Sequence, residues 1–239
     1  MSGGQMSLAV VAAKPVQFRA FEEQGYARGF KCVAGTDEVG RGPLAGPVVA
    51  AAVILPRGFS HPEIKDSKLL TAKQREKLAP LIRDNAQSWG LGRVEVEEID
   101  RINILKASLL AMVKALECLK TRPDCLLIDG NQRIPRDFLL ESIFFGRRSL
   151  YQKTIVKGDQ LCISIAAASI VAKVARDEMM VDLDKRYPEY GFAAHKGYTC
   201  AAHLEALRRY GPSPIHRHSF KPVRDAAMTQ VVSPMPTQP

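Results

Sequence analysis

Apolar runs of two periods alternate along the chain, and the alternation predicts an α/β layer fold. Cys32-Val33-Ala34-Gly35-Thr36-Asp37 is a short apolar run that ends in charge, the mark of a strand. Gly40-Arg41-Gly42-Pro43 reads as a turn. Residues 46–55 form a second strand, rich in small residues and apolar throughout, as expected of a strand buried on both faces. Residues 56–70 form a loop containing Asp66-Ser67-Lys68, after which Thr71 caps a helix running to about residue 86. Residues 89–96 read as a third strand. One helix is predicted over 97–120, with Ile99, Ile102, Leu105, Leu109, Met112, Leu116 and Leu119 three or four apart, and Pro123 ends it. Residues 125–130 and 152–156 read as a fourth and a fifth strand. Gly158-Asp159 leads into a long alanine-rich helix over 160–185, a loop spans 187–198, and a last helix spans 199–210.

The expected architecture is a mixed sheet of five strands with helices on both faces. Residues 1–29 read as a leader containing a short helix over 18–29, residues 30–222 as the main domain, and residues 223–239 as a flexible tail with little apolar periodicity.

Composition narrows the class. Of 239 residues, 46% are hydrophobic and 25% charged, which excludes wholesale disorder. The five cysteines are an odd number with no C-x-x-C pair, which argues against a disulfide scaffold and a zinc knuckle and for a reducing compartment. The longest apolar run, over 44–55, contains Gly46 and Pro47 and falls short of the roughly 20 residues a spanning helix needs. No basic residue precedes the apolar stretch Ser7–Ala13, so it makes a poor signal peptide. These features predict a soluble, cytoplasmic protein with no membrane partner. The net charge of +9 favours a polyanionic partner over a mere solubility surface once carboxylates are seen to gather at a few strand ends.

Those carboxylates carry the candidate chemistry. Asp37 and Glu38 end the first strand, Asp129 ends the fourth, and Asp159 stands between a glycine and a helix. Each has a plainer reading: a solvated strand end, an Asp-Gly turn, a helix N-cap. In a sheet of this kind, however, ligands gather at strand ends, and converging carboxylates repel one another unless a cation lies between them. Hard oxygen donors suit Mg2+ or Mn2+. Directly after Asp37-Glu38, Gly40-Arg41-Gly42 offers bare backbone and a guanidinium for a polar or anionic group.

The stretch Asp37-Glu38-Val39-Gly40-Arg41-Gly42-Pro43-Leu44-Ala45-Gly46-Pro47-Val48 resembles the signature of the ribonuclease HII family. So do Asp66-Ser67-Lys68, Ile128-Asp129-Gly130-Asn131, Lys157-Gly158-Asp159, the run from Ser164 to Val174 with Arg176-Asp177, Tyr187-Pro188, His195-Lys196-Gly197-Tyr198, His216-Arg217 and Ser219-Phe220, all in order over about residues 30–222. The resemblance implies an RNase H-like fold with a C-terminal helical extension. It implies a metal-dependent endonuclease acting on the RNA of RNA–DNA hybrids and on ribonucleotides embedded in duplex DNA, with Mn2+ or Mg2+ as cofactor. By motif position Asp37, Glu38, Asp129 and Asp159 are its four acidic active-site residues. Gly40, Arg41 and Gly42 match its loop that senses the 2′-hydroxyl, and Tyr198 its tyrosine that stacks on the sugar.

Lys68, Lys157, Lys173, Lys196 and Arg217 are candidate phosphate contacts, and Ser67 and Ser169 candidate hydroxyl contacts to the strand backbone. His195, His203, His216 and His218 read as structural or phosphate-adjacent rather than as metal ligands. Asp177 stands four residues after Lys173, the spacing of a helical ion pair. A monomer is expected, because a cleft that admits a duplex needs free surface. Two alternatives remain: another RNase H-like nuclease, such as ribonuclease HIII or an integrase-like enzyme, and a basic nucleic-acid-binding module without catalysis.

Overall fold

The computed structural model describes residues 18–146 and 149–232. Strands β1 (Val33–Val39), β2 (Val48–Ile54), β3 (Ser88–Val94), β4 (Cys125–Asp129) and β5 (Tyr151–Ile155) form one sheet in the order β3-β2-β1-β4-β5. β1, β2 and β3 are an antiparallel meander, and β4 and β5 add to β1 in parallel. Ten helices are described: α1 (Ala20–Ala27), α2 (Ala72–Asn85), α3 (Val96–Ile102), α4 (Ile104–Glu117), α5 (Arg136–Glu141), α6 (Gly158–Leu161), α7 (Ile163–Arg186), α8 (Phe192–His195), α9 (Ala201–Tyr210) and α10 (Lys221–Val232). The mixed five-stranded sheet with helices on both faces is the architecture expected. No helix among the described residues is long and apolar enough to cross a membrane.

β2 shows why the apolar run forms a central strand. Val48, Ala50, Ala52 and Ile54 face one core with α4, while Ala51 and Val53 face the other with α2 and α7. Burial on both faces leaves no polar alternation. Glycine brings α4 close: a Cβ on Gly92 of β3 would stand 2.1 Å from the Ala111 carbonyl oxygen. On the other face α7, 24 residues long and lined with alanine, lies against β1 and β2.

Some boundaries differ from the periodicity. The single helix expected over 97–120 is two. Asn103 adopts a left-handed φ of 71°, and its side chain accepts from the Lys106 N–H to cap α4. Apolar spacing runs on across this break, so the pattern conceals it, and Leu105, expected on the buried stripe, is exposed. The long helix expected from 160 is likewise divided, α6 ending at Cys162 (φ −140°) before α7 begins.

The ends differ too. α10 occupies the first part of the expected tail, with Val223 buried against Leu44 and Leu207. α1 lies within the helix expected over 18–29 and is fastened to the start of α7. The buried Glu22 accepts from the Ser164 N–H (2.9 Å), the Ser164 hydroxyl (2.8 Å) and the Cys162 thiol (3.1 Å). The rest of the leader, residues 1–17, and of the tail, residues 233–239, lies outside the described residues.

Candidate active site

Strand register brings two of the acids together. β1 and β4 pair Thr36 with Ile128, and the next step of the ladder sets Asp37 beside Asp129. Thr36 turns to the opposite side, where its hydroxyl donates to the Ala51 carbonyl at 2.8 Å. Asp37 is buried and Asp129 half-buried. The third acid arrives after β5. Lys157 takes a left-handed conformation (φ 57°), and the chain turns so that the Gly158 N–H donates to Asp129 Oδ1 at 2.7 Å. Glycine permits that approach, because a Cβ there would stand 2.6 Å from Ile165 Cδ1. Asp159 follows, buried, with Oδ2 accepting from Lys68 Nζ at 3.1 Å. Glu38, on the far side of β1 from Asp37, accepts from Arg41 Nη1 at 3.1 Å and borders a small hollow with Leu109, Met112 and Asp129.

The charges of these groups oppose one another. Burial, then the charges of Glu38 and Asp129, hold the Asp37 carboxyl well above the usual carboxylate range, and the Ser169 hydroxyl pulls the other way. Burial also raises Glu38, against the pull of Arg41. Burial and then the Asp159 charge raise Asp129. Burial works against the Lys68 ammonium, but the hydrogen bond and charge of Asp159 outweigh it and raise its pKa. Such a set of hard oxygen donors, repelling one another in a partly dry site, fits divalent cations. Among the described residues no three His, Cys, Asp or Glu groups stand closed around one point as a ready cage. Asp159 and Glu38 are each turned to a basic side chain instead.

Beside the acids lies the loop 40–47, held by two fully buried arginines. Arg217 donates from Nη2 to the Gly40 carbonyl (2.6 Å) and from Nη1 to that of Arg41 (3.1 Å), and its Nε donates to Gly46 (3.0 Å). Arg176 donates to the carbonyls of Pro47 (3.0 Å), Lys196 (3.0 Å) and Ala45 (3.2 Å). The expectation that Arg217 contacts phosphate is therefore corrected: its guanidinium is spent on loop carbonyls and has no exposure. Gly40 (φ 93°) must be glycine, since a Cβ would lie 2.2 Å from Arg176 Nε. Gly42 is different. Its Cβ would meet only Tyr198 Cε1, at 3.9 Å, an ordinary contact, so a narrow gap about one methyl group wide separates Gly42 from the exposed Tyr198 ring.

Lys173 Nζ lies 5.7 Å from the Tyr198 ring centre and pairs with Asp177 at 2.7 Å, the helical pair expected from the spacing. The Ser67 and Ser169 hydroxyls meet at 2.9 Å beneath Lys68 and Asp37. Thus Asp37, Glu38, Asp129, Asp159, Ser67, Lys68 and Ser169 are gathered at one end of the sheet. Gly40, Arg41, Gly42, Tyr198 and Lys173 stand next to them, and Lys157 is exposed beside Asp159.

Comparison with known proteins decides among the RNase H-like alternatives. The family model for ribonuclease HII matches residues 34–223. The chain belongs to the ribonuclease HII family. A ribonuclease HII from Syntrophobacter fumaroxidans is 53% identical over 216 residues, covering 88% of each chain. Among solved structures, the ribonuclease H2 from Pyrococcus horikoshii superposes with a TM-score of 0.67 at 29% identity, covering 83% of this chain and 98% of that one. A Bst-RNase HIII in complex with Mn2+ has a TM-score of 0.64 at 22% identity over 83% of this chain and 70% of that one, a likeness of fold alone. As a member of that family the chain is a hydrolase, an endoribonuclease of the RNase H class acting on RNA–DNA hybrids.

Two residues around this site escaped sequence reasoning. Asp66 is buried, caps the turn at Lys68 N–H (2.8 Å) and accepts from Gln160 Nε2 (3.0 Å), tying the Lys68 turn to α6. The Asp-Ser-Lys sequence has the form of an Asx turn, which was a signal for it. Arg176 stood within a matching motif, but periodicity gives no reason for an arginine wholly buried among loop carbonyls.

Proposed function

We propose that Asp37, Glu38, Asp129 and Asp159 form the hydrolytic centre of this protein and hold its divalent cations, Mg2+ or Mn2+. The observation that carries this reading is the placement of Asp37 beside Asp129 at the paired ends of two strands, with the Gly158 N–H bound to Asp129 and so bringing the buried Asp159 next to them. Divalent cations held there supply Lewis-acid activation of water and stabilisation of the leaving oxygen in phosphodiester hydrolysis. The protein's own part is to keep the donors converged and to place the scissile phosphate over them.

The cut falls on the 5′ side of a ribonucleotide, in a hybrid or embedded in duplex DNA, leaving a 3′-hydroxyl and a 5′-phosphate. The 2′-hydroxyl lies beyond the cleaved bond, so it serves recognition and not attack. The sugar lies at the exposed mouth of the narrow gap between Gly42 and Tyr198. Backbone atoms of Gly40, Arg41 and Gly42 meet the 2′-hydroxyl, the one group DNA lacks, while the tyrosine ring lies on the sugar face. Lys68, Lys173, Ser67 and Ser169 contact the strand backbone beside the cut. The enzyme acts as a monomer. Its five cysteines are free, in keeping with a reducing cytoplasm.

An end-labelled duplex with one ribonucleotide, incubated with Mg2+, Mn2+ or a chelator beside an all-DNA duplex, tests this reading. Metal-dependent cleavage 5′ to the ribonucleotide, lost in Asp129→Asn, is the expected result. Products ending in a 2′,3′-cyclic phosphate, or tight binding without cleavage in every metal, would overturn it.

A further inference from the structure

Behind Tyr198 lies a pair of histidines with no exposure to solvent, His203 on α9 and His216 in the segment between α9 and α10. Their Nε2 atoms stand 3.0 Å apart. The outer nitrogens fix which way the protons run. His216 Nδ1 lies 2.9 Å from the Ser213 backbone N–H, which can only donate, so this nitrogen carries no proton. The Ser213 hydroxyl reaches the same atom at 2.8 Å. A neutral His216 then holds its proton on Nε2 and donates it to His203. At the other end His203 Nδ1 lies 2.9 Å from the Tyr198 carbonyl, which can only accept, so His203 holds its proton there. Both ends independently require the same direction through the centre.

The relay is part of a larger brace. His216 is followed directly by Arg217, which grips the carbonyls of Gly40 and Arg41. One short segment therefore anchors both sides of the gap, Tyr198 through the histidines and the Gly40–Gly42 turn through the guanidinium. The Tyr198 N–H is also held, donating to the His195 carbonyl at 2.9 Å.

We propose that His203 and His216 are positioning residues, a one-directional hydrogen-bond relay from the Ser213 backbone to the Tyr198 carbonyl that sets the width of the gap between Tyr198 and Gly42. This rests on the reading of that gap as the ribose site. Both rings must be neutral, since a further proton on either leaves two donors facing each other or an N–H facing the Ser213 N–H. Their surroundings hold them so. The His195 ring stacks on His203 at 4.5 Å, Phe192 and Tyr190 close the other sides, and burial followed by the adjacent histidine pulls His216 down to about 3. The guanidinium of Arg217, the next residue in the chain, is a further cation close to His216.

Two measurements test the relay. Nitrogen NMR of the wild-type protein near neutral pH should find His216 protonated at Nε2 and His203 at Nδ1. Steady-state cleavage of a duplex with one ribonucleotide should show KM about five- to tenfold higher for His203→Leu, with kcat within about twofold. His203→Asn, whose amide can still donate to the Tyr198 carbonyl, should restore most of the loss. In a Tyr198→Ala background the His203→Leu effect should vanish. Should His203→Leu fail to fold, His203→Gln, whose amide points toward His216, takes its place. Reversed tautomers, or a His203 effect undiminished without the Tyr198 ring, would overturn the relay. An unchanged KM for Tyr198→Ala alone overturns the reading of the ribose site, and the relay's function with it, while leaving the tautomers as described.

Discussion

Lys68 Nζ and Asp159 Oδ2 are 3.1 Å apart, an ion pair between a side chain 78% exposed and one 3% exposed. Its exposed half gives it little worth for stability. Its effect on the site is larger, because Lys68 supplies positive charge where the carboxylates converge. Removing it leaves a more negative site for a cation and one fewer charge for a phosphate. Lys68→Ala is therefore expected to bind Mn2+ several-fold more tightly in the absence of substrate, by calorimetry, and to cleave about tenfold more slowly at limiting substrate. Weaker metal binding in that variant would contradict the pairing.

Asp37 carries a pH dependence of defined sign. Its folded pKa is raised, so the folded state holds a proton that the unfolded state has released. The stability this contributes is fully present below the unfolded value near 3.9 and is lost as pH rises through the raised folded value. At neutral pH the acid cluster is a burden on the fold, and a divalent cation relieves it. Mg2+ should thus raise Tm near pH 8 and leave it almost unchanged near pH 4. Asp37→Asn should be more stable than wild type at neutral pH without metal, by about 1–2 kcal/mol, while losing activity by about a thousandfold or more. Thermal melts at the two pH values, with and without metal, read both effects.

The sequence made the sheet legible because β2 and β4 are continuous apolar runs long enough to name strands. It made the acids legible because each stands where such a run stops. It concealed the breaks at Asn103 and Cys162, where apolar spacing continues through a change in backbone direction. It concealed α10 as well, whose hold on the domain passes through the single buried Val223. Arg217 reads as a phosphate contact for a physical reason: an arginine in a basic protein suits a polyanion, and only tertiary structure reveals the carbonyls around it. The partnership of His203 with His216 spans a turn and leaves no periodic trace.

Arg217 should therefore behave as a structural residue. Burial and the nearby Arg176 charge pull it down to about 9, which still leaves it charged at neutral pH. Replacing it by Met strands the carbonyls of Gly40, Arg41 and Gly46 without a donor. Each buried acceptor left alone costs about 1–3 kcal/mol, so Arg217→Met should lose at least about 3 kcal/mol in urea unfolding. Arg217→Lys should recover only part, because an ammonium cannot reproduce the fork. If Arg217 instead contacted phosphate, Arg217→Met would keep its unfolding midpoint and flatten the salt dependence of duplex binding.

Gly40 and Gly42 separate packing from recognition within three residues. An alanine at Gly40 would need φ 93° and a Cβ 2.2 Å from Arg176 Nε, so Gly40→Ala should destabilise the fold by about 2 kcal/mol or more. An alanine at Gly42 meets only Tyr198 Cε1 at 3.9 Å, so Gly42→Ala should keep its Tm within a degree or two. The added methyl group does narrow the gap where the ribose is proposed to sit. Cleavage at a single embedded ribonucleotide should fall by about tenfold or more in Gly42→Ala, through KM before kcat. Full activity in a stable Gly42→Ala protein would remove the gap from the recognition of the 2′-hydroxyl and leave that task to other contacts.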